Sequence, residues 1–262
     1  MKTPAQHEAN FAVYPSLADR VVLVTGGASG IGEKIVEAFA RQKSRVVFLD
    51  IQDEAAQKLI ETQIIGGHSA PAFYHCDVTD IEALRACATR AITSFGSIDV
   101  LVNNAGNDHR HSIESVTPEY WDNSIAVNLK HQFFLSQAVI PAMKKARHGS
   151  IINLSSISWT IPSTGLPVYI AAKAAIVGLT RTLAHELGPD NIRVNSVLPG
   201  AILTERQQRL WFTEEYRAEI LRNQALKRMI LPVDVANLVL FLAADDSSAI
   251  TSQSYVIDGG WV

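Results

Sequence analysis

A strand, a glycine-rich turn and a helix follow one another without interruption over residues 21–41, and this unit limits the fold more than any other stretch. The turn at 25–32 reads T-G-G-A-S-G-I-G, with a β-branched strand before it and apolar residues at helical spacing after it. Gly26 allows a tight turn, Gly30 lets a ligand approach the backbone, and Gly32 lets the helix pack closely on the strand. This order predicts a dinucleotide site with the pyrophosphate at the helix N-terminus, and a plain turn is the alternative.

Strand and helix patterns keep alternating through the rest of the chain. Such alternation favours a parallel, doubly wound α/β sheet with right-handed crossovers and helices on both faces. We find no internal repeat, low-complexity segment or linker, so we expect one domain over residues 1–262. The predicted strands cover residues 21–24, 45–50, 72–76, 98–102, 150–154, 192–198 and 254–257. The predicted helices cover residues 33–41, 53–64, 81–95, 117–145 and 232–243, with one more around Tyr169 and Lys173.

The second predicted strand ends in an acid, Asp50, at the position where a dinucleotide site binds the adenosine ribose. A carboxylate there accepts hydrogen bonds from the ribose hydroxyls and repels a 2′-phosphate. Gly27, Ala28 and Ile51 supply no cation that would offset the repulsion. The sequence therefore predicts NAD rather than NADP, and the alternative is an Asp that only caps the next helix.

Small or polar residues follow several other predicted strands, at the edge where open α/β sheets bind ligands. The pair Asp77-Val78 is placed for the adenine, and the small residues of 103–106 leave room for a cofactor against the backbone. Thr204, in the P-G-A-I-L-T segment at 199–204, is placed for a nicotinamide amide. The predicted cofactor-binding residues are Gly26, Ser29, Gly30, Ile31, Gly32, Asp50, Ile51, Asp77, Val78, Asn104, Ala105, Gly106, Tyr169, Lys173, Pro199, Gly200, Ile202 and Thr204.

Three side chains between residues 155 and 187 form a candidate catalytic group. Tyr169 and Lys173 are four residues apart in an Ala-rich helical pattern and so share one helix face. Ser156 ends an apolar strand, which can bring its hydroxyl against the phenol. A free phenol has a pKa of about 10. We expect the Lys173 ammonium to lower that pKa, so that Tyr169 takes a proton from a substrate alcohol held by Ser156. The alternative is a tyrosine at the edge of the core and a solvated lysine.

One polar residue, Asn128, lies in the middle of the longest predicted helix, among Ile125, Val127 and Leu129. A buried amide at such a place needs hydrogen-bond partners. Asn128 is therefore either a hydrogen-bonding residue of the core or part of a proton relay.

Composition and charge exclude several classes of function. The chain has 262 residues, 47% of them hydrophobic, which is enough for one full core. The net charge of −3 gives no electrostatic argument for nucleic acid or an anionic membrane as a partner. No apolar run reaches membrane-spanning length, and the N-terminal residues do not resemble a signal peptide. Cys76 and Cys87 form no ligand-spaced set, which is typical of a reducing compartment, so we expect a soluble cytoplasmic protein.

Asp108, His109 and His111 are close together and raise the question of a metal site. They fall in a loop after the fourth predicted strand, without the i,i+4 spacing of helical metal ligands. We therefore expect no metal here, and this loop either faces the substrate or is solvated.

Taken together, these motifs resemble those of the classical short-chain dehydrogenase/reductases over nearly the whole chain. The resemblance implies a single-domain Rossmann fold with seven strands in the order 3-2-1-4-5-6-7 and a nicotinamide cofactor. It also implies homotetramers built through the long helices and the last strand, and a catalytic tetrad of Asn128, Ser156, Tyr169 and Lys173. The matching segments are T-G-G-A-S-G-I-G at 25–32, D-V at 77–78, N-N-A-G at 103–106, Asn128, Ser156, Y-I-A-A-K at 169–173, P-G-A-I-L-T at 199–204 and D-G-G at 258–260.

Two positions depart from the family pattern. Ala172 stands where the family usually has Ser, and Ser252 where it usually has Gly. Neither change removes a reacting group, so we interpret both as local packing variation.

A narrower resemblance is to bacterial NAD-dependent aldose 1-dehydrogenases of the D-xylose, L-arabinose and D-galactose type. It is carried by Y-P-S-L at 14–17, N-N-A-G-N-D-H-R-H at 103–111, S-I-S-W at 156–159, and Arg206-Gln207 followed by Trp211. It implies oxidation of the anomeric C1 hydroxyl of a free aldose to the lactone. It also implies an N-terminal extension at residues 1–18 and a substrate lid at residues 202–228. We expect the Trp159 indole to lie against the sugar ring. The substrate-binding residues it implies are Asn107, Asp108, His111, Ser156, Trp159, Tyr169, Arg206, Gln207 and Trp211.

Two other functions stay open. One is a carbonyl reductase or secondary-alcohol dehydrogenase for an apolar ketone, steroid or acyl substrate, although the polar and aromatic residues around 107–111, 159 and 206–211 argue against an apolar cleft. The other is a catalytically silent NAD-binding scaffold, against which the presence of all four tetrad residues argues.

Overall fold

Parallel strands form the centre of the molecule. The computed structural model describes residues 11–262. In this part of the chain the sheet has seven strands in the order β3-β2-β1-β4-β5-β6-β7, so the predicted α/β fold and strand order are confirmed. The strands are β1 Val21–Thr25, β2 Arg45–Asp50, β3 Ala72–His75, β4 Val100–Asn103, β5 Gly149–Leu154, β6 Ile192–Pro199 and β7 Ser254–Ile257.

Helices cover both faces of the sheet. They are α1 Gly30–Arg41, α2 Asp53–Ile65, α3 Ile81–Phe95, α4 Pro118–Ile125, α5 His131–Ala146, α6 Pro167–Leu187, α7 Glu205–Leu210, α8 Glu214–Asn223 and α9 Pro232–Ala243. Alternate residues of a strand point to opposite faces. Val22 and Val24 of β1 accordingly pack in one core with α1 and α9, and Val21 and Leu23 pack in a second core with α3, α5 and α6.

The register of the central strands brings their carboxyl ends to one edge. Thr25 of β1 pairs with Leu49 of β2, and Val24 pairs with Val102 of β4. The next residue along each neighbouring strand therefore lies close to the glycine turn. This register places the ends of β2 and β4 where the sequence predicts a nucleotide.

The longest predicted helix, 117–145, consists of two α-helices joined by a π-helical turn. α4 begins after Thr117, whose hydroxyl accepts a hydrogen bond from the Tyr120 amide at 3.2 Å. The π turn covers Ala126–Lys130, and α5 continues from it. Such turns insert one residue into a helix and often occur at functional sites. Here the turn carries Asn128.

Two short helices, α7 and α8, lie outside the predicted elements. Thr204 and Thr213 cap them, because each hydroxyl accepts a hydrogen bond from an amide of the first turn, at 3.1 and 3.2 Å. An isolated β-bridge between Ile202 and Ile230 closes the base of this segment. This segment includes residues 202–228, which the sequence predicts to form a lid.

The predicted N-terminal extension, residues 1–18, lies partly outside the described residues. Within its described part, Leu17 is buried in the core that contains α1 and α9. Its carbonyl accepts a hydrogen bond from the Ser44 hydroxyl at 2.7 Å. The end of the extension is therefore part of the core of the domain.

Ser252 has a left-handed backbone conformation, with a φ of 63°. Its amide donates to the Val194 carbonyl at 2.8 Å, which holds the residue in this conformation. A side chain is strained in the left-handed region and glycine is not. This departure from the family pattern is thus a backbone constraint as well as a packing change.

Candidate active site

A cleft of about 1490 Å³ opens at the carboxyl ends of the strands. Every predicted cofactor-binding residue lines it, from the glycine turn at one end to Thr204 at the other. Ser156, Tyr169 and Lys173 line it too. The fold thus brings the predicted nucleotide residues and three of the predicted catalytic residues to one place.

The glycine turn exposes backbone to the cleft because side chains do not fit there. A Cβ atom on Gly32 would lie 1.8 Å from the Gly26 carbonyl oxygen, and one on Gly26 would lie 2.9 Å from Cα of Ala105. α1 starts at Gly30, and its N-cap residue Ser29 makes no side-chain capping hydrogen bond. The amides of this first turn and the helix dipole suit a phosphate. The turn therefore fits the dinucleotide that its sequence predicts.

Asp50 is held by backbone amides at the end of β2. Its Oδ2 accepts a hydrogen bond from the Ala28 amide at 2.9 Å, and its Oδ1 accepts from the Ile51 and Gln52 amides at 2.8 and 3.0 Å. The residue is only 6% exposed. α2 begins beyond it at Asp53 and has no side-chain cap. Asp50 therefore does not cap this helix, and instead ties the glycine turn to β2 at the wall of the cleft.

Thr25 and Asn104 join the ends of β1 and β4. Thr25 Oγ1 accepts hydrogen bonds from the amides of Asn104 and Ala105, both at 3.0 Å. Asn104 Nδ2 donates to the carbonyls of Thr25 and Gly26, both at 2.9 Å. The N-N-A-G segment is thus bonded directly to the glycine turn, and the two segments form one wall.

Lys173 lies one helical turn after Tyr169 on α6 and is 3% exposed. Its Nζ donates to the Leu154 carbonyl at 2.9 Å and lies 5.6 Å from the centre of the Tyr169 ring. Burial lowers the pKa of Lys173 to about 8, and the Asp108 carboxylate acts in the opposite direction. The predicted shared helix face of Tyr169 and Lys173 is present.

The Tyr169 phenol is less acidic than the sequence predicts. Burial raises the pKa of Tyr169, and the Asp108 carboxylate raises it further. A hydrogen bond with Ser156 and the Arg206 guanidinium lower the pKa. The net direction is upward, opposite to the lowering expected from Lys173, because desolvation of the phenolate outweighs the nearby cations.

Asn128 is fully buried in the π turn and pairs with the backbone of Asn107. Its Oδ1 accepts from the Asn107 amide at 2.8 Å, and its Nδ2 donates to the carbonyls of Asn107 and Ser124, both at 3.0 Å. A Cβ on Gly106 would lie 3.1 Å from Asn128 Oδ1 and 3.3 Å from Lys173 Nζ, so both groups flank one point. Asn128 is thus a hydrogen-bonding residue of the core, and its part in a proton relay stays a prediction.

A buried histidine that sequence reasoning missed lies near Lys173. Burial and the Lys173 ammonium lower the pKa of His131 to about 3, so its imidazole is neutral. Its Nε2 lies 3.1 Å from the Ala105 carbonyl oxygen and donates to it, because a carbonyl only accepts. A histidine on the apolar face of a helix gives no motif by which this contact could have been found.

The loop after β4 is bonded to α7 at the substrate end of the cleft. The Asp108 carboxylate accepts hydrogen bonds from the Arg206 guanidinium and the Gln207 amide. Arg206 Nη2 also donates to Asn107 Oδ1 at 3.1 Å. The predicted substrate residues that line the cleft here are Asn107, Asp108, Ser156, Tyr169, Arg206 and Gln207.

Three other predicted substrate residues, Trp159, His111 and Trp211, are not among the residues that line the cleft, and their contact with a substrate stays a prediction. Trp159 ends a short 3₁₀ turn and is 38% exposed. His111 Nδ1 is instead bonded to the Tyr120 hydroxyl at 2.7 Å. The Trp211 ring packs under the Arg110 guanidinium, 4.6 Å from its centre.

The outer part of the cleft contains residues that no motif marks. Phe212 and Tyr216 pack edge to face there, with ring centres 5.5 Å apart. They belong to the α7–α8 segment, and the threonines that cap its two helices were the one sequence feature that could have predicted this segment. Further unpredicted residues of this part are Ile161, Pro162, Leu166 and Trp261.

Among the described residues, no three His, Cys, Asp or Glu side chains are grouped in a way that could hold a metal ion. Within residues 11–262, no helix has both the length and the apolar character to cross a bilayer.

Comparison with known proteins identifies a family and several relatives. A family model described as enoyl-(acyl carrier protein) reductase matches residues 26–262. The chain is 52% identical over 247 residues to the probable galactose dehydrogenase GalD of Rhizobium meliloti (strain 1021), covering 94% of this chain and 96% of that protein. It is 49% identical over 250 residues to D-xylose 1-dehydrogenase of Caulobacter vibrioides, covering 95% and 98%. A solved 3-oxoacyl-(acyl-carrier protein) reductase from Brucella melitensis has a TM-score of 0.88 at 33% identity, covering 100% of this chain and 97% of that one.

Proposed function

Because this chain belongs to the short-chain dehydrogenase/reductase family, whose members use a nicotinamide cofactor, we propose that it oxidises the anomeric C1 hydroxyl of a free aldose to the aldonolactone with NAD. The substrate is a pentose or hexose such as D-xylose, L-arabinose or D-galactose. The observation that carries this proposal is a set of hydroxyl-binding side chains, Asn107, Asp108, Arg206 and Gln207, beside Tyr169 in one cleft. The relatives named as galactose and D-xylose dehydrogenases support the same class of substrate.

Asp50 supports NAD as the preferred cofactor. Three backbone amides hold its carboxylate at the cleft wall, so the negative charge is fixed where a 2′-phosphate would have to lie. Lys34 also lines the cleft, but Glu33 and Glu37 bind its ammonium at 3.0 and 2.9 Å. This lysine is therefore already neutralised by its own neighbours.

Tyr169 and Ser156 handle the proton of the substrate hydroxyl. The Ser156 hydroxyl lines the cleft with the phenol and lowers the pKa of Tyr169, so it can hold the same substrate oxygen that Tyr169 deprotonates. Lys173 places a buried cation beside the phenol, which favours its ionised form when the proton leaves. Bound nicotinamide supplies the hydride acceptor.

The polar residues of the cleft favour a sugar over an apolar alcohol. Asp108 accepts hydrogen bonds, whereas Arg206 and Gln207 donate them, and at present they satisfy one another. Ring hydroxyls can replace these bonds, but an apolar ring would leave the groups unpaired. C1 is the reactive position because the ring oxygen supports the positive charge that develops there as hydride leaves.

Three further features belong to the same proposal. Residues 202–228 form a lid, supported by the bonds from Arg206 and Gln207 to the opposite loop. The protein is a homotetramer, supported by the exposed apolar side chains of Phe133 on α5 and Val256 on β7. It is cytoplasmic, supported by its two free cysteines.

A substrate panel tests the proposed function. Purified protein is assayed for NADH formation with D-xylose, L-arabinose, D-galactose, their methyl glycosides and a cyclic secondary alcohol. We expect turnover of at least one free aldose and none of the methyl glycosides. Turnover of the secondary alcohol without any aldose would favour the secondary-alcohol dehydrogenase instead. NAD binding without any turnover would favour the silent scaffold.

A further inference from the structure

Arg110 stacks on two aromatic rings at the substrate end of the cleft. Its guanidinium carbon lies 4.6 Å from the centre of the Trp211 ring and 5.7 Å from the centre of the Tyr216 ring. Arg110 belongs to the loop after β4, whereas Trp211 directly follows α7 and Tyr216 lies on α8. Both Arg110 and Tyr216 line the cleft. These ring contacts therefore join the loop to the α7–α8 segment.

The loop side of this contact is fixed to the body of the domain. Asn107, at the start of the loop, makes two backbone hydrogen bonds with the Asn128 side chain. At the other end, the His111 amide donates to the Gly165 carbonyl at 2.8 Å. Arg110 thus lies in a stretch of chain that is held at both ends.

The helical side is attached mainly at its two ends. α7 and α8 make only sparse backbone contacts with the other helices and strands that the structure describes. The bridge between Ile202 and Ile230 holds the start of the segment, and Ile220, near the end of α8, is fully buried. Between these points, Asp108 binds α7, and Arg110 extends the attachment to α8. The position of both helices over the cleft therefore depends on side chains of the loop.

We propose that Arg110 is a positioning residue, which holds the α7–α8 segment against the loop by stacking on Trp211 and Tyr216. A guanidinium suits this task because its planar face stacks on aromatic rings. The inference rests on the proposed function, since α7 carries Arg206 and Gln207, the groups proposed to bind the sugar hydroxyls. When the segment is released, only part of the population presents these groups, and the apparent affinity for the sugar falls by that fraction. Saturating sugar restores the closed arrangement, so kcat is retained.

Two measurements on Arg110→Ala test the proposal. The first needs neither sugar nor cofactor, and is the rate of tryptic cleavage after Arg209, a site that every variant retains. We expect cleavage roughly three- to tenfold faster than in the wild type, because loss of two exposed ring contacts raises the open population by about this factor. The second is steady-state kinetics with NAD and the aldose. KM for the aldose should rise by a similar factor, while kcat stays within about twofold.

Three further variants separate positioning from a general structural effect. Arg217→Ala is the matched control, because its guanidinium stacks on Phe212, 5.8 Å from the ring centre, within the α7–α8 segment itself. That contact does not reach the loop, so the cleavage rate and KM should stay within about twofold of the wild type. Arg110→Lys keeps a cation and should partly restore both values. Trp211→Leu should reproduce the effects of Arg110→Ala, and the double variant should add little to either single change.

Each other outcome counts against a defined part of the proposal. Unchanged cleavage in Arg110→Ala overturns it, and a raised KM in that case would show that Arg110 contacts the sugar itself. Faster cleavage with unchanged KM overturns the link to substrate affinity. Fully additive effects of Arg110→Ala and Trp211→Leu contradict the stacking on Trp211. Wild-type protein that oxidises no aldose refutes the proposed function, whereas the cleavage rates still decide whether Arg110 holds the segment.

Discussion

Asn128 and Asn107 hold each other through two hydrogen bonds, at 2.8 Å from the Asn107 amide to Oδ1 and at 3.0 Å from Nδ2 to the Asn107 carbonyl. One residue lies in the π turn of a long helix, and the other begins the loop that faces the substrate. The irregular turn in the helix thus fixes the start of the loop, which carries Asp108 beside Tyr169.

Asn128→Ala should destabilise the fold by about 1–3 kcal/mol, because the buried backbone groups of Asn107 lose their partner. Thermal unfolding measures this cost, and kcat/KM should fall as well. Ser124→Ala is the control, since it removes only a 3.5 Å contact with Asn128 Nδ2 and should cost much less. Equal melting temperatures for Asn128→Ala and the wild type would contradict the role of Asn128 as a hydrogen-bonding residue of the core.

The opposite charges of Asp108 and Arg206 near Tyr169 predict opposite shifts in the pH dependence of kcat. Burial raises the pKa of Tyr169, so the phenol is protonated at neutral pH and kcat should rise as the pH increases. Asp108 raises the pKa of both Tyr169 and Lys173, and Asp108→Asn should therefore move the profile to lower pH. Arg206→Gln should move it to higher pH, because Arg206 lowers the pKa of Tyr169.

Tyr169→Phe is the control for these profiles and should lose roughly 10²–10⁴-fold in kcat at every pH. A shift of Asp108→Asn and Arg206→Gln in the same direction would show that the two charges do not act on the phenol as described.

Asp50→Ser should narrow the preference for NAD over NADP roughly ten- to hundredfold, because it removes a fixed negative charge beside the 2′ position. The readout is the ratio of kcat/KM for the two cofactors, which cancels any general loss of stability. Asp53→Asn is the matched control, since Asp53 is an exposed acid whose Oδ1 is bonded to His75. Wild-type protein with equal kcat/KM for both cofactors would refute the role of Asp50.

Gly32→Ala should weaken NAD binding severely, because its Cβ would lie 1.8 Å from the Gly26 carbonyl oxygen and force the turn open. Gly178→Ala on α6 is the control, where the added Cβ meets nothing within 4 Å. This second change should stabilise the helix by about 0.5–1 kcal/mol. Calorimetric NAD titration and thermal unfolding compare the two variants. Unchanged NAD affinity in Gly32→Ala would contradict the placement of the cofactor against the glycine turn.

Local patterns were enough for the sheet, the glycine turn and the Tyr169–Lys173 face, because each is encoded by neighbours in sequence. The partner of Asn128 could not be predicted in this way, since Asn107 belongs to another element and the π turn has no simple signature.

Differences between the predicted substrate set and the cleft lining have a similar cause. Trp159 follows Ser156 closely in sequence, but it is not among the residues that line the cleft. The rise in the pKa of Tyr169 came from burial, which spacing to Lys173 does not report. By contrast, α7 and α8 each begin with a glutamate directly after a threonine, so their N-termini could have been identified.

Transfer of deuterium from C1 tests the central claim most directly. D-xylose and D-galactose carrying deuterium at C1 are incubated with the protein and NAD, and the reduced cofactor and the sugar product are analysed by mass spectrometry. We expect the deuterium in the reduced cofactor and an unlabelled lactone as the product. Deuterium retained in the sugar product, with unlabelled NADH, would contradict oxidation at C1.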